Sequence, residues 1–372
     1  MAFSDQRVLI TGVLGQDGWY LARLLKERGA AVHGTDRHVE RVRAQHSDLS
    51  GVELHHADLT DDEAMGRVVE KVQPTHIYNL AGSTSVARSW THPTESADVL
   101  GLGTIRLLAA AWDLHDRGRP IRFLQASSAE IFGDPASSPQ DETTPVAPVT
   151  PYGAAKAFAH SMVSVYRRRG LFATTAILYN HESPRRPESF VAAKIAQGVV
   201  DIAQGRQSTL ALGNIDVHRD WGYAPDYVDA MTRILDAEAP DDYVVATGES
   251  RSVRDFVIEA FQVVGIDDWE RHVVIDPQFF RPADPRSLVG DSTRLRSLGW
   301  RPSMTFRELV RAMVLPRLEA AGAAPRRGRL TGQRLSTDDG SSPAASRRGS
   351  TMALTSSRNV IDGRHPRLLS RV

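Results

Sequence analysis

The 372-residue chain contains no cysteine, which excludes a disulfide framework, a thiolate nucleophile, a zinc ribbon and an iron–sulfur cluster together. It also lacks net charge: 45 Lys and Arg face 45 Asp and Glu. There is then no overall positive field for nucleic acid or an acidic membrane, and neither is expected as a partner. No run of 18 apolar residues occurs, and the opening MAFSDQR passes directly into a short apolar stretch without the marks of a signal peptide. Internal repeats are absent. What remains, at 41% hydrophobic and 24% charged residues, is the composition of a soluble globular protein, expected to be cytoplasmic, with length for one large or two modest domains.

The even charge balance conceals a split. Residues 325–372 hold ten Arg and no Lys against three Asp and no Glu, so this segment is net +7 and the remainder net −7. The segment is rich in Ser, Gly and Ala and has no helical or strand periodicity, which predicts a disordered basic tail. Before it, the first 180 residues alternate short β-branched runs with longer amphipathic stretches, the pattern of βαβ units and a parallel sheet. Strands are expected at 7–11, 31–36, 52–57, 75–81, 121–126 and 174–179, with helices such as 19–28 and 103–114 between them. The fold class is therefore α/β: a Rossmann-type doubly wound parallel sheet over residues 1–180, with later segments interleaved. Residues 181–324 are expected to form a smaller α/β substrate-binding lobe.

Directly after the first strand comes Thr11-Gly12-Val13-Leu14-Gly15-Gln16-Asp17-Gly18, and a helix follows at once. Gly12, Gly15 and Gly18 allow a tight turn and close approach of the backbone to a pyrophosphate, while the helix N-terminus supplies N–H groups and the positive end of its dipole. This G-x-x-G-x-x-G spacing resembles the extended short-chain dehydrogenase/reductase superfamily. The second strand ends at Asp36-Arg37. A carboxylate there suits the ribose 2′-hydroxyl of NAD and an Arg suits the 2′-phosphate of NADP, so the cofactor expected is NADP, with NAD possible because of Asp36. The resemblance places Asp58 and Leu59, and Leu80, Ala81 and Gly82, around the adenine and the cofactor ribose.

Ser127-Ser128-Ala129-Glu130 closes the fifth strand, and Pro151-Tyr152-Gly153-Ala154-Ala155-Lys156 opens a helix. Tyr152 and Lys156, four apart, share one helical face. An ammonium beside a phenol favours the phenolate, which predicts a Tyr152 pKa lowered toward neutrality and a base able to take a hydroxyl proton as hydride leaves the same carbon. Ser128 would hydrogen-bond the reacting oxygen. Glu130 adds a second proton-transfer group, suited to abstracting a proton alpha to a new ketone. No metal site is expected: His55 and His56 are neighbours in a strand and point to opposite faces.

Further on stand Asn180-His181-Glu182-Ser183-Pro184-Arg185-Arg186, Leu212-Gly213-Asn214, Arg219-Asp220-Trp221-Gly222 and Asp226-Tyr227-Val228. These strings, continued by Ala246-Thr247-Gly248-Glu249, Ser252-Val253-Arg254, Arg281-Pro282 and Gly290-Asp291, resemble the GDP-mannose 4,6-dehydratase family over about residues 6 to 315. The resemblance implies Ser128, Glu130, Tyr152 and Lys156 as the catalytic set. It places Gln16, Asp17, His181 and Arg186 near the cofactor, and Asn180, Glu182, Lys194, Arg219, Arg281 and Asp284 around the nucleotide sugar. Arg219 and Arg281 are permanently charged forks of the kind a diphosphate takes. The implied enzyme is an NAD(P)-dependent hydro-lyase, a homodimer or homotetramer, that turns GDP-D-mannose into GDP-4-dehydro-6-deoxy-D-mannose and water by moving hydride from C4 to C6. The chain departs from the family pattern at Ser128, where Thr is usual, at Asp36, and at His38-Val39-Glu40-Arg41 after Arg37. Glu95 stands in place of a Tyr, Tyr223 in place of a His, and a shortened loop spans 267–273. An epimerase, decarboxylase or dehydratase acting on another nucleotide sugar, and a non-catalytic cofactor-binding protein, are the alternatives.

Overall fold

Strands buried on both faces need apolar side chains throughout, and helices that cover them need one apolar stripe. The computed structural model, which describes residues 3–39 and 49–322, realises both in the middle of the sheet, whereas the strands Ala31–Asp36 and Glu53–His56 toward one edge also carry polar side chains. The expected basic tail lies outside the described residues, as do Glu40 and Arg41. Strands β1 (Arg7–Thr11), β2 (Ala31–Asp36), β3 (Glu53–His56), β4 (His76–Asn79), β5 (Arg122–Ser128) and β6 (Phe172–Leu178) overlap all six expected spans. Beyond them come β7 (Asn180–Glu182), β8 (Leu210–Leu212), β9 (His218–Tyr223), β10 (Asp242–Val245), β11 (Ser250–Ser252), β12 (Val273–Ile275) and β13 (Ser287–Leu288). Among the described residues the central sheet has seven strands, ordered β10-β6-β5-β4-β1-β2-β3, and every pairing in it is parallel. The order reverses between β1 and β4, and a switch of that kind opens a crevice beyond the carboxyl ends of the strands.

The principal helices are α1 (Gln16–Glu27), α2 (Asp62–Val72), α3 (Val86–Thr91), α4 (Gly103–Asp116), α5 (Pro151–Arg169), α6 (Val191–Ala203), α7 (Ala224–Leu235), α8 (Val253–Val264) and α9 (Phe306–Ala320). On one face of the sheet Leu21 and Leu25 of α1 and Met231 and Ile234 of α7 pack with Val8 and Ile10. On the other, Met65 and Val69 of α2, Leu107 of α4 and Val163 of α5 pack with Leu9 and Phe123. A separate core gathers Ile195 and Val199 of α6, Phe256 and Phe261 of α8, and Val310 and Met313 of α9. Around it β7, β9, β11 and β13 form a four-stranded sheet, and β8 pairs with β12.

The sequence does not pass once from one core to the other. α7 and β10 come from beyond residue 180 and return to the central sheet. There Asp229 of α7 holds Arg28, at the end of α1, at 2.7 Å. No described helix is long and apolar enough to cross a membrane.

Phe261 is fully buried and stacked on His272 at 5.8 Å between ring centroids. Phe261→Ala is expected to lower stability by about 3–5 kcal/mol through lost transfer energy and a residual cavity. The readout is a lower urea midpoint with the far-ultraviolet circular dichroism of the folded state retained.

Candidate active site

The glycine loop is packed to the limit of backbone contact. A Cβ on Gly18 would stand 2.3 Å from the carbonyl oxygen of Gly12, and one on Gly12, whose φ is +68°, would stand 2.8 Å from Cα of Ala81. Only glycine fits either place. α1 begins at Gly15, which carries no side-chain cap, so the positive end of the helix faces an anion's place. The loop is fixed against β4 from below by polar groups at the ends of adjacent strands. Thr11 Oγ1 donates to Asn79 Oδ1 at 2.7 Å and accepts from the N–H of Leu80 and Ala81. Asn79 in turn donates to Gln125 Oε1 at 2.7 Å. A pyrophosphate fits this cradle of glycines and uncapped helix end.

Other expected cofactor residues are placed as follows. Asp36 ends β2, and its Oδ1 accepts from the N–H of His38 at 2.8 Å, while Arg37 is exposed beside it. Asp58 accepts from the N–H and hydroxyl of Thr60, both at 2.9 Å, and so closes its own turn. Leu59 is buried against Gly103 in the core shared with α2 and α4. Gly82, with φ +139°, follows β4 and packs on Leu100.

The four expected catalytic side chains come from two elements. β5 delivers Ser128, and a tight turn after it delivers Glu130, whose N–H donates to Ser128 Oγ. Thr150 caps α5 by accepting from the N–H of Gly153, and Pro151 fills the first helical position, so Tyr152 sits in the first turn and Lys156 one turn later. The two elements touch at Gly153: a Cβ there would stand 2.5 Å from the carbonyl oxygen of Glu130. The N–H of Tyr152 donates to Ser89 of α3, and Lys156 Nζ donates to the carbonyl of Ala126 at 2.7 Å.

The electrostatics differ from the expectation for Tyr152. Burial pushes its phenol well above the ordinary value, against a smaller opposing pull from the Ser128 hydroxyl. Lys156, whose Nζ lies 5.8 Å from the ring centroid, does not offset this burial, and burial holds its own ammonium down to about 8. Glu130 is pushed up, first by burial, while the Arg281 and Arg219 guanidiniums pull it down. Its Oε2 is buried and has no hydrogen-bond partner.

A cleft of about 810 Å³ brings these groups together with Asp17, Leu80, Asn180, His181, Glu182, Arg186, Lys194, Arg219, Arg281 and Asp284. Arg219 is buried. It pairs with Asp284 and donates to the carbonyls of His218 and Pro285. Arg281 lies 3.5 Å from the same carboxylate and is partly exposed. Lys194 Nζ sits 3.6 Å above the ring of Phe279. Beneath Arg219, the buried Asp220 accepts from the N–H groups of Thr247 and Gly248, and burial pushes its carboxyl up to about 6. Glu182 is buried with Arg186 at 3.0 Å. Neither Glu95 nor Tyr223 lines the cleft: Glu95 pairs with Arg88 at 2.8 Å, and Tyr223 packs on the second core. The wall formed by Thr84, Val86 and Trp90 is absent from the expected set, since a short helix of mixed residues carries no distinctive sequence signal.

Asp17 and His181 form the link between the glycine loop and β7. His181 Nε2 bonds Asp17 Oδ2 at 2.8 Å, its Nδ1 bonds the carbonyl of Tyr179 at 2.7 Å, and the ring stacks on Tyr227 at 4.4 Å. Burial works against both charges, yet the attraction wins: Asp17 is held below 3.8, chiefly by His181, and His181 is raised above 6.5, chiefly by Asp17. A raised histidine stabilises fully below its unfolded value and loses that contribution as pH rises through the folded one. A depressed carboxylate does the reverse. The pair therefore contributes most between pH 3.8 and 6.5. In Asp17→Asn the stability deficit relative to the parent should be largest in that window and shrink above it, read from urea midpoints across pH. A deficit that stays constant with pH contradicts an ionised pair.

The sequence pattern of the GDP-mannose 4,6 dehydratase family matches residues 9–313. GDP-mannose 4,6 dehydratase 1 of Arabidopsis thaliana is 44% identical over 326 residues, covering 84% of this chain and 90% of the relative. The GDP-mannose 4,6 dehydratase of Homo sapiens is 41% identical over 334 residues, covering 82% and 90%. Among solved structures, UDP-glucose 4-epimerase of Thermus thermophilus, in complex with NAD, superposes with a TM-score of 0.74 at 28% identity over 85% of this chain and 99% of that one. RMD from Pseudomonas aeruginosa, complexed with NADPH, gives 0.68 at 27% identity over 84% and 99%. A parallel sheet with its glycine loop at the switch point, a Ser/Glu/Tyr/Lys cleft and these similarities agree: the chain belongs to the GDP-mannose 4,6 dehydratase family.

Proposed function

We propose that the chain is a nucleotide-sugar 4,6-dehydratase that converts GDP-D-mannose to GDP-4-dehydro-6-deoxy-D-mannose and water. The observation that carries this reading is Glu130, a buried carboxyl with raised pKa and an unpartnered oxygen, in the same cleft as Ser128, Tyr152 and Lys156. Plain alcohol oxidation needs no such group. Dehydration needs one, because the C5 proton has to be taken once C4 is a ketone.

The cofactor of this reading is a nicotinamide dinucleotide on the glycine loop, as in the Thermus and Pseudomonas proteins solved with NAD and NADPH. When bound it supplies a hydride acceptor for C4 and a hydride donor for C6, so no net oxidation results. This reading favours NADP, with NAD the alternative because of Asp36; it is supported by Arg37, exposed for a 2′-phosphate, and by the oxygen of Asp36 that already accepts from the N–H of His38.

The side chains divide the remaining work. Ser128 donates to the C4 oxygen, and Tyr152 takes its proton. Lys156, at about 8, exchanges a proton near neutral pH and, when cationic, favours the phenolate that burial alone would suppress. Glu130, its carboxyl raised first by burial, removes the C5 proton as a carboxylate and then, as the acid so formed, returns it to the departing C6 hydroxyl, the kind of double duty a raised carboxyl can perform. Arg281 and Lys194, on the far side of the cleft, have charge available for the diphosphate, whereas Arg219 acts with Asp284 as a buried support.

Tyr152→Phe should lower turnover by a factor of about 10² to 10⁴ while leaving the fold intact, and Glu130→Gln should do the same. Mass spectrometry of GDP-mannose and other nucleotide hexoses, each with NAD and with NADP, tests substrate and cofactor together. Loss of one water from GDP-mannose is expected, faster with NADP. In heavy water the product should gain deuterium at C5, and deuterium placed at C4 should reappear at C6. Failure of the C4 label to reach C6 would refute the internal transfer.

A further inference from the structure

At the edge of the central sheet, away from the cleft, three ligand-type side chains meet that no part of the proposed reaction uses. His33 comes from β2, and Glu53 and His55 come from β3. The register pairs His33 with Glu53 and Thr35 with His55. Alternation along parallel strands therefore puts all three side chains on one face, the face covered by α2. His33 Nδ1 and His55 Nε2 point at each other 3.2 Å apart. The Glu53 carboxylate reaches both, Oε2 at 3.4 Å from His33 Nδ1 and Oε1 at 3.7 Å from His55 Nε2. The three ligand atoms all lie within 4.8 Å of one another.

Those separations have a definite meaning for a metal. Bonds of about 2.0–2.2 Å in tetrahedral geometry put neighbouring donor atoms about 3.3–3.6 Å apart; the two ring nitrogens at 3.2 Å, and Glu53 Oε2 with His33 Nδ1 at 3.4 Å, are close to that spacing, while the carboxylate meets His55 through its other oxygen at 3.7 Å. Two imidazole nitrogens and one carboxylate are a donor set for borderline divalent transition metals such as zinc, cobalt and nickel, rather than for calcium or magnesium, which take oxygen. We propose that His33, Glu53 and His55 form a binding site for one divalent transition-metal cation, with water in the fourth position, that clamps β2 to β3.

The surroundings fit this assignment. His55 is buried and His33 largely so, and their facing ring nitrogens offer lone pairs to a cation once no proton lies between them. Glu53 is half-exposed and leaves a path for the ion. One neighbour opposes it: Lys71 of α2 places Nζ 3.0 Å from Glu53 Oε1 and competes for the carboxylate. The consequence of binding is local, because β2 ends three residues later at Asp36, and a cross-link here holds the strand from which Asp36 and Arg37 project. The proposal does not depend on the dehydratase reading.

The test uses the untagged full chain, freed of metal by a chelator and titrated with Co²⁺ and Zn²⁺ by calorimetry. Tetrahedral Co²⁺ also reports itself by intense visible absorption. Because the chain has 13 histidines, the site is defined by difference between variants. One high-affinity equivalent is expected in the parent. It should vanish in His33→Gln/His55→Gln, weaken at least about tenfold in Glu53→Gln, and tighten several-fold in Lys71→Met, where the competing ammonium is gone. Glu53 and Lys71 are exposed, so those two variants keep the test valid even if the double histidine variant folds poorly. No saturable binding by the parent, or an affinity that Glu53→Gln and Lys71→Met leave unchanged, overturns the proposal and leaves a hydrogen-bonded histidine pair with a surface ion pair.

Discussion

The carbonyl of Glu130 lies against Gly153 so closely that no side chain could stand between them, and the chemistry proposed for the cleft is assembled across this contact. On one side is the turn that ends β5 and carries Ser128 and Glu130. On the other is the capped first turn of α5, with Tyr152, and Lys156 one turn beyond. The strand fixes one pair and the helix the other, so their separation is set by rigid elements and by the missing Cβ rather than by flexible loops. Ser89 reaching the N–H of Tyr152 and Ala126 accepting from Lys156 then remove the remaining freedom of the helix end.

Around that contact the protein concentrates charge where burial makes charge costly. Asp17 with His181, Glu182 with Arg186, and Arg219 with Asp284 are all wholly or largely buried. Such pairs are poor sources of stability, because desolvation cancels most of their attraction, yet removal of one partner is severe. Their value is positional. Two of them join segments distant in sequence: the glycine loop to β7, and β9 to the segment before β13. The same desolvation acts on the expected catalytic groups, raising Glu130 and lowering Lys156 to about 8.

The sheet is legible in the sequence because short runs rich in β-branched residues alternate with longer amphipathic stretches, even where polar residues interrupt them as in β2 and β3. The glycine loop is legible because Gly12 and Gly18 stand where a Cβ would strike backbone. The helix start at Thr150-Pro151 and the Tyr152/Lys156 spacing are equally plain. Three things are not. Proximity in sequence predicts an effect of Lys156 on Tyr152, but burial of both groups outweighs it. The resemblance places Leu59 around the adenine and the cofactor ribose, but gives no sign that its side chain is buried against Gly103. Glu95 and Tyr223 differ from the family pattern yet stand off the cleft, because a substitution in a string says nothing of where the side chain points. The meeting of His33 with Glu53 and His55 is invisible for a related reason: it depends on strand register, and the spacing of residues within one strand does not encode it.

The return of α7 and β10 to the central sheet also sets an order on synthesis. The apolar face of α1 remains without its cover of Met231 and Ile234, and β6 remains an open edge, until residue 245 has left the ribosome. The dinucleotide-binding half, though written first, is thus completed late, after β9 has been made. A nascent chain stalled near residue 180 would present an unpaired parallel edge and a bare helix face, the surfaces on which chaperones act and aggregates start.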